Sequence, residues 1–152
     1  MAHQMKKGDT EALRNDLILE TEPRPEDIQF LEECLYEFNT QTTGIKDGGL
    51  FGFFLRAANG LRLGGVYGWT WGGTCYVRYL FVPEEMRRQG QGKRLMHAVE
   101  AEAKARKCQQ IMLETYDFQA PGFYQKLGFD VIGAVADHPR GYRYLTLVKR
   151  LA

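Results

Sequence analysis

The sequence predicts an α/β domain, a mixed α+β sheet in which antiparallel and parallel strands run side by side. Three observations lead there. Between Leu50 and Val82, three extended, aromatic-rich segments are separated by Asn59-Gly60 and Gly72-Gly73, the turn chemistry of two-residue antiparallel hairpins. A strand, a glycine-rich turn, a helix and another strand follow, and such a βαβ unit requires a parallel pair with a right-handed crossover. Finally, 152 residues with 44% hydrophobic and 26% charged side chains suffice for one core and exclude disordered, collagen-like and coiled-coil classes.

Taken in order, residues 1–15 read as a flexible tail and 16–152 as a single domain. Leu17 to Thr21 is a short apolar run ending in charges and the Pro23–Pro25 corner, which predicts a first strand and a helix start with Pro25 in its first turn. Ile28, Leu31, Leu35 and Phe38 recur on one helical face, with Glu26 and Asp27 placed to complement the helix dipole. This helix is expected to end near Asn39. The meander strands are Leu50–Ala57, Leu61–Trp71 and Thr74–Val82, stopped by Pro83. Leu95, Met96, Val99 and Ala103 then define the apolar side of a helix running from Gly90 or Gln91 to about Lys107. Gln110–Thr115 is a strand, Ala120–Leu127 a short helix closed by Gly128, and Phe129–Ala136 and Tyr142–Leu151 are strands flanking a polar turn.

Twenty basic against nineteen acidic residues supply no field for a nucleic-acid or anionic-lipid partner. Cys34, Cys75 and Cys108 are scattered, without zinc spacing, so free thiols and no metal are expected. No apolar run reaches the roughly 18 residues of a membrane span, and Met1–Asp16 lacks a signal-peptide core. A cytoplasmic protein, alone or as a homodimer, is the expectation.

The most informative stretch is Arg87-Arg88-Gln89-Gly90-Gln91-Gly92-Lys93, between a strand and a helix. Its glycines let the backbone curl so that several N–H groups converge before the helix, a natural seat for phosphate oxygens. A P-loop is excluded because Arg94 follows Gly92-Lys93 where a hydroxyl is needed. The dinucleotide fingerprint fails at Leu95, where it needs a small residue.

The run Leu80-Phe81-Val82-Pro83, the R-x-x-G-x-G at Arg87 to Gly92 and the downstream Phe123-Tyr124-Gln125-Lys126-Leu127-Gly128-Phe129 resemble the GNAT superfamily of acyl-CoA N-acyltransferases. The resemblance covers nearly the whole chain from Asp16. It implies the order β-α-β-β-β-α-β-α-β-β with a central splayed parallel pair, and acetyl-CoA as cosubstrate. It also implies that Arg87, Arg88, Gln89, Gly90, Gln91, Gly92 and Lys93 hold the pyrophosphate, and that Leu80, Phe81 and Val82 offer the strand edge for pantetheine and the oxyanion donor. The segment from Glu114 to Gly122 is similar to a bacterial subset of the family.

Acetyl transfer from a thioester to an amine needs a neutral amine, a donor for the oxyanion and a proton for the thiolate. Tyr124 stands at the family's tyrosine position and is the candidate acid, since a phenol remains protonated at neutral pH. The strand before the turn carries only Arg78, a departure from members with a carboxylate base there. Glu114, Asp117, Asp137 and His138 are left as possible bases or amine-recognition groups, with Glu114 and His138 the weak base candidates. Asp117 also occupies a cofactor-contact position where the family often has asparagine. Tyr67, Trp69, Trp71, Tyr76 and Tyr79 are candidates for an acceptor pocket. The expected function is N-acetyltransfer to a primary amine of a small molecule or peptide by direct attack in a ternary complex. The alternative is a non-catalytic acyl-CoA-binding regulatory or scaffold module.

Overall fold

A computed structural model describes residues 17–152, so the expected tail at 1–15 lies outside the described residues. The chain divides into two units, Met1–Ile45 and Lys46–Ala152. In the first, helix α1 spans Pro25–Thr43. It runs past the expected end at Asn39, and in this last turn the hydroxyls of Thr40, Thr42 and Thr43 bond to carbonyls three or four residues back. The stop comes at Gly44, left-handed at φ 73°, whose N–H reaches the Thr40 carbonyl. Leu17 to Thr21 corrects the sequence reading, for it forms no strand. Leu17, Ile18 and Leu19 are exposed, and a short apolar run is a strand only when another strand takes up its backbone groups.

The second unit is a six-stranded mixed sheet in the order β1-β2-β3-β4-β6-β5. Its strands are β1 Gly49–Arg56, β2 Arg62–Trp71, β3 Thr74–Phe81, β4 Gln110–Tyr116, β5 Asp130–Ala136 and β6 Arg143–Arg150. The β2–β3 turn is the expected two-residue hairpin, with Gly72 and Gly73 both at positive φ. The β1–β2 turn is not. Ala57 donates to the Leu61 carbonyl across three residues, and Gly60 at φ 84° makes it a turn closed by a left-handed glycine.

Helix α2, Gln91–Ala105, crosses between β3 and β4 and buries Leu95, Met96, Val99 and Ala103. Facing them are the alternate residues Cys75 and Val77, Ile111 and Leu113, and Leu145 and Leu147, the period-two pattern of a strand. Glu100 accepts from Lys104 at 2.9 Å and Lys149 at 2.6 Å, fastening α2 to β6. Arg106 donates to Glu102 on its own helix and to the Leu50 carbonyl on β1. The short helix α3, Pro121–Lys126, places Tyr124 in the same core. None of the described helices is long and apolar enough to cross a membrane.

Candidate active site

The parallel pair at the centre of the sheet is short. β3 and β4 are paired from Thr74↔Gln110 to Val77↔Leu113 and no further, although β3 continues to Phe81 and β4 to Tyr116. The cause is on the other side of β3. Against β2, Tyr67 pairs with Tyr79 but Gly68 pairs with Val77, so Arg78 is an extra residue, a bulge that bends β3 away from β4. Gly68 permits it, because a Cβ there would lie 2.0 Å from the Tyr76 carbonyl oxygen. Past the bulge, Leu80 to Val82 run beside a gap with no β4 partner.

The chain leaving β3 passes a single 3-10 turn, Glu84–Met86, into the glycine turn. Arg88 is left-handed at φ 59° although it is not glycine, and Gly90 is left-handed at φ 78°. Backbone strain of this kind, on the order of 1–3 kcal/mol for a non-glycine residue, persists where the surroundings enforce it. Arg87 helps to enforce it by donating from Nε to the Val82 carbonyl at 2.9 Å. Helix α2 starts at Gly90 with no side-chain cap, and its first internal bond is Arg94 N–H to the Gly90 carbonyl. The N–H groups ahead of Arg94 are thus free of helix acceptors. A Cβ on Gly90 would meet nothing within 4 Å, so the space before the helix is open. Turn, dipole and open space together fit a bound phosphate group.

On the α2 face, Tyr124 is 9% exposed and packs edge-on against Phe123 and Phe129. Burial pushes its phenol up to about 12, so it stays protonated at neutral pH. The opposite face carries Tyr76, Glu114, Tyr116 and Tyr144. Glu114 follows the last parallel pair and stands where the strands part. Its Oε2 accepts from the Tyr76 hydroxyl at 2.7 Å and the Tyr144 hydroxyl at 3.1 Å. Both phenols have raised pKa values, first through burial and then through the carboxylate they bond, Tyr144 to about 12.

The sheet is thus parted by a bulge beside an uncapped, glycine-led helix N-terminus. The sequence profile of the Acetyltransferase (GNAT) family matches residues 11–129. The chain belongs to the GNAT acetyltransferase family. Its members are acetyl-CoA-dependent transferases. This GNAT chain is 40% identical over 94 residues to blasticidin-S acetyltransferase of Streptomyces morookaense, a match covering 58% of this chain and 65%, under two thirds, of that protein. It is 32% identical over 120 residues to acetyltransferase Atu2258 of Agrobacterium fabrum, covering 79% and 88% of the two chains. Among solved structures, an acetyltransferase from Bacillus cereus has a TM-score of 0.72 at 28% identity, over 88% of this chain and 98% of that one. An Agrobacterium tumefaciens protein reaches 0.80 at 29% identity, over 90% and 99%.

Within this GNAT chain the residues singled out from sequence are spread over several places. Leu80, Phe81 and Val82 line the gap, and Arg88, Gln89, Gly90, Gly92 and Lys93 surround the helix start. Gln91 instead lines a groove of about 670 Å³ between β1 and α2, its Oε1 buried without a partner. Glu114 and His138 are brought together through Tyr144, whose ring is 5.2 Å from the imidazole. Asp117 is used in the ladder: its Oδ2 accepts from the Arg143 N–H at 3.0 Å, and its own N–H bonds the Arg143 carbonyl. Asp137 likewise serves its turn, accepting from the Gly141 N–H. Sequence reasoning missed Tyr116 and Tyr144. Period-two alternation puts Tyr116 beside Glu114, but only the β4–β6 register brings Tyr144 to it.

Cys75 and Cys108 are free and buried. Burial raises both thiols, Cys75 to about 12, the reverse of an activated nucleophile. Among the described residues no three His, Cys, Asp or Glu side chains are grouped to hold a metal.

Proposed function

We propose that this chain transfers the acetyl group of acetyl-CoA to a primary amine of a small molecule or peptide, by direct attack with both substrates bound together. The observation that carries this reading is the parting of β3 and β4 beside the N-terminus of α2. The turn amides around Arg88 to Lys93 would take the pyrophosphate, and the unpartnered edge at Leu80 to Val82 would take pantetheine as an added strand. Acetyl-CoA supplies the activated acyl group.

The protein's own groups then divide the work. An N–H of Leu80 to Val82 donates to the charge developing on the carbonyl oxygen. Tyr124 donates to the departing sulfur from the α2 face. A thiol has an ordinary pKa near 8.5, far below that of the buried phenol, so Tyr124 keeps its proton and hydrogen-bonds the sulfur as the C–S bond breaks, while the thiolate takes its proton from the ammonium formed when the amine attacks, leaving the neutral amide. The amine reaches the gap from the opposite face, where its proton leaves through water or His138. Direct transfer is supported by the two inert thiols at Cys75 and Cys108. A small-molecule acceptor is supported by the blasticidin-S acetyltransferase relative.

The test is thiol release from acetyl-CoA across a panel of monoamines, polyamines, aminoglycosides and peptides, with the product mass checked for one added acetyl group. Amine-dependent release with a matching product is expected. Tight acetyl-CoA binding with no release for any amine would leave the non-catalytic binding module instead.

A further inference from the structure

We propose, resting on the reading above, that the acceptor carries a second cationic group besides the reacting amine, and that Glu114 and the aromatic side chains around it hold that group. Glu114 is half-buried and placed where β3 and β4 part. Both of its hydrogen bonds come from neutral phenols and both end on Oε2. Among the described residues no lysine, arginine or histidine pairs with it. Arg78, the cation on the nearest strand, lies over the Tyr79 ring at 5.2 Å.

The surroundings favour a cation from outside the chain. Tyr76 lies against Trp69 with ring centroids 4.5 Å apart. Tyr144 lies 4.6 Å from Tyr116, which stacks on Phe118 at 5.1 Å with the planes 6° apart. A carboxylate aimed by two phenols within an aromatic cluster matches a guanidinium or ammonium group, which the charge attracts and neighbouring rings can help to hold.

The chemistry of the reaction says which cation it is. The attacking nitrogen must be neutral, whereas an anion within about 4–6 Å favours the protonated form of any amine beside it. Glu114 on the reacting nitrogen would oppose attack. On a separate, permanently charged group it costs the chemistry nothing and fixes the acceptor's position. The two tyrosines then act as positioning residues that direct the carboxylate.

Calorimetry with CoA-saturated protein tests this without turnover, comparing butylamine with guanidinoalkylamines of three to five methylenes. Wild type should bind at least one guanidinoalkylamine about tenfold or more tighter than butylamine, the scale of a charge-assisted hydrogen bond. Glu114→Gln, whose amide oxygen still accepts from a phenol, should bring that ratio close to one. Tyr144→Phe should lower it partway. Equal affinities in wild type, absence of guanidinoalkylamine binding, or a preference retained in Glu114→Gln would each overturn the proposal. A kinetic split separates it from a base role: loss of kcat by Glu114→Gln in equal measure for both acceptors would also overturn it. Guanidinoalkylamine binding without acetylation would count against the transferase reading and leave this one standing.

Discussion

Replacing Tyr124 with phenylalanine separates a catalytic phenol from a packed one, because stability should hold while activity falls. The side chain is 9% exposed, and its hydroxyl has no hydrogen bond to a described residue. The hydroxyl is not a buried orphan, since among the described residues only Gln91 Oε1 is, and Phe fills nearly the same volume, so Tyr124→Phe should stay within about 1 kcal/mol of wild type, or about 3 °C in Tm. Stability against pH gives a second readout. The folded-state pKa of about 12 lies above the unfolded value near 10. The contribution of the neutral phenol is therefore complete below pH 10 and is lost as pH rises from 10 towards 12. Two units correspond to about 2.7 kcal/mol once both states are ionised, about half of it by pH 11, so urea melts at pH 7, 10 and 11 should show wild type losing about 1.4 kcal/mol more than the variant by pH 11. Activity should fall. Loss of a donor used as the C–S bond breaks should lower kcat about 100-fold or more, with acetyl-CoA affinity within a few-fold. A variant with wild-type kcat and an unchanged pH profile would remove Tyr124 from the mechanism.

Gly92→Glu should weaken acetyl-CoA binding about tenfold or more by calorimetry, because it sets a carboxylate among the amides that would hold phosphate. Its Cβ meets the Phe123 ring at 3.2 Å, so a thermal melt accompanies the titration, and undiminished affinity in folded protein would contradict the pyrophosphate site. Gly68→Ala should destabilise the protein by about 3 kcal/mol or more, since its Cβ would lie 2.0 Å from the Tyr76 carbonyl oxygen and only backbone movement relieves that overlap. A Tm within 1–2 °C of wild type, roughly the scatter of neutral surface changes, would show that the bulge is not held by this close approach. Cys75 and Cys108 should resist iodoacetamide in folded protein at pH 8 and react after unfolding, since burial keeps both thiols protonated.

Most of the scaffold was legible because local periodicity carries it. The apolar faces of α2 and of the meander, the two-residue Gly72-Gly73 turn and the Gly128 stop all follow from residues close in sequence. The two misread segments show where local signals end. Leu17 to Thr21 has the composition of a strand, but strand formation needs a partner that the segment itself does not specify. Asn59-Gly60 suits either a two- or a three-residue turn, and the choice depends on the Arg56↔Arg62 pairing. The candidate site divides the same way. Arg88 to Lys93 and Tyr124 lie in contiguous motifs. The Glu114–Tyr144 contact joins residues 30 apart through strand register, and the Arg78 bulge leaves no mark in composition.

Direct transfer with both substrates bound is tested most directly by initial velocities over a grid of acetyl-CoA and acceptor concentrations, with the intact protein mass followed in acetyl-CoA alone. Intersecting reciprocal plots and an unmodified protein mass are predicted. Parallel plots together with a protein heavier by one acetyl group would contradict direct attack and demand a covalent acetyl-enzyme.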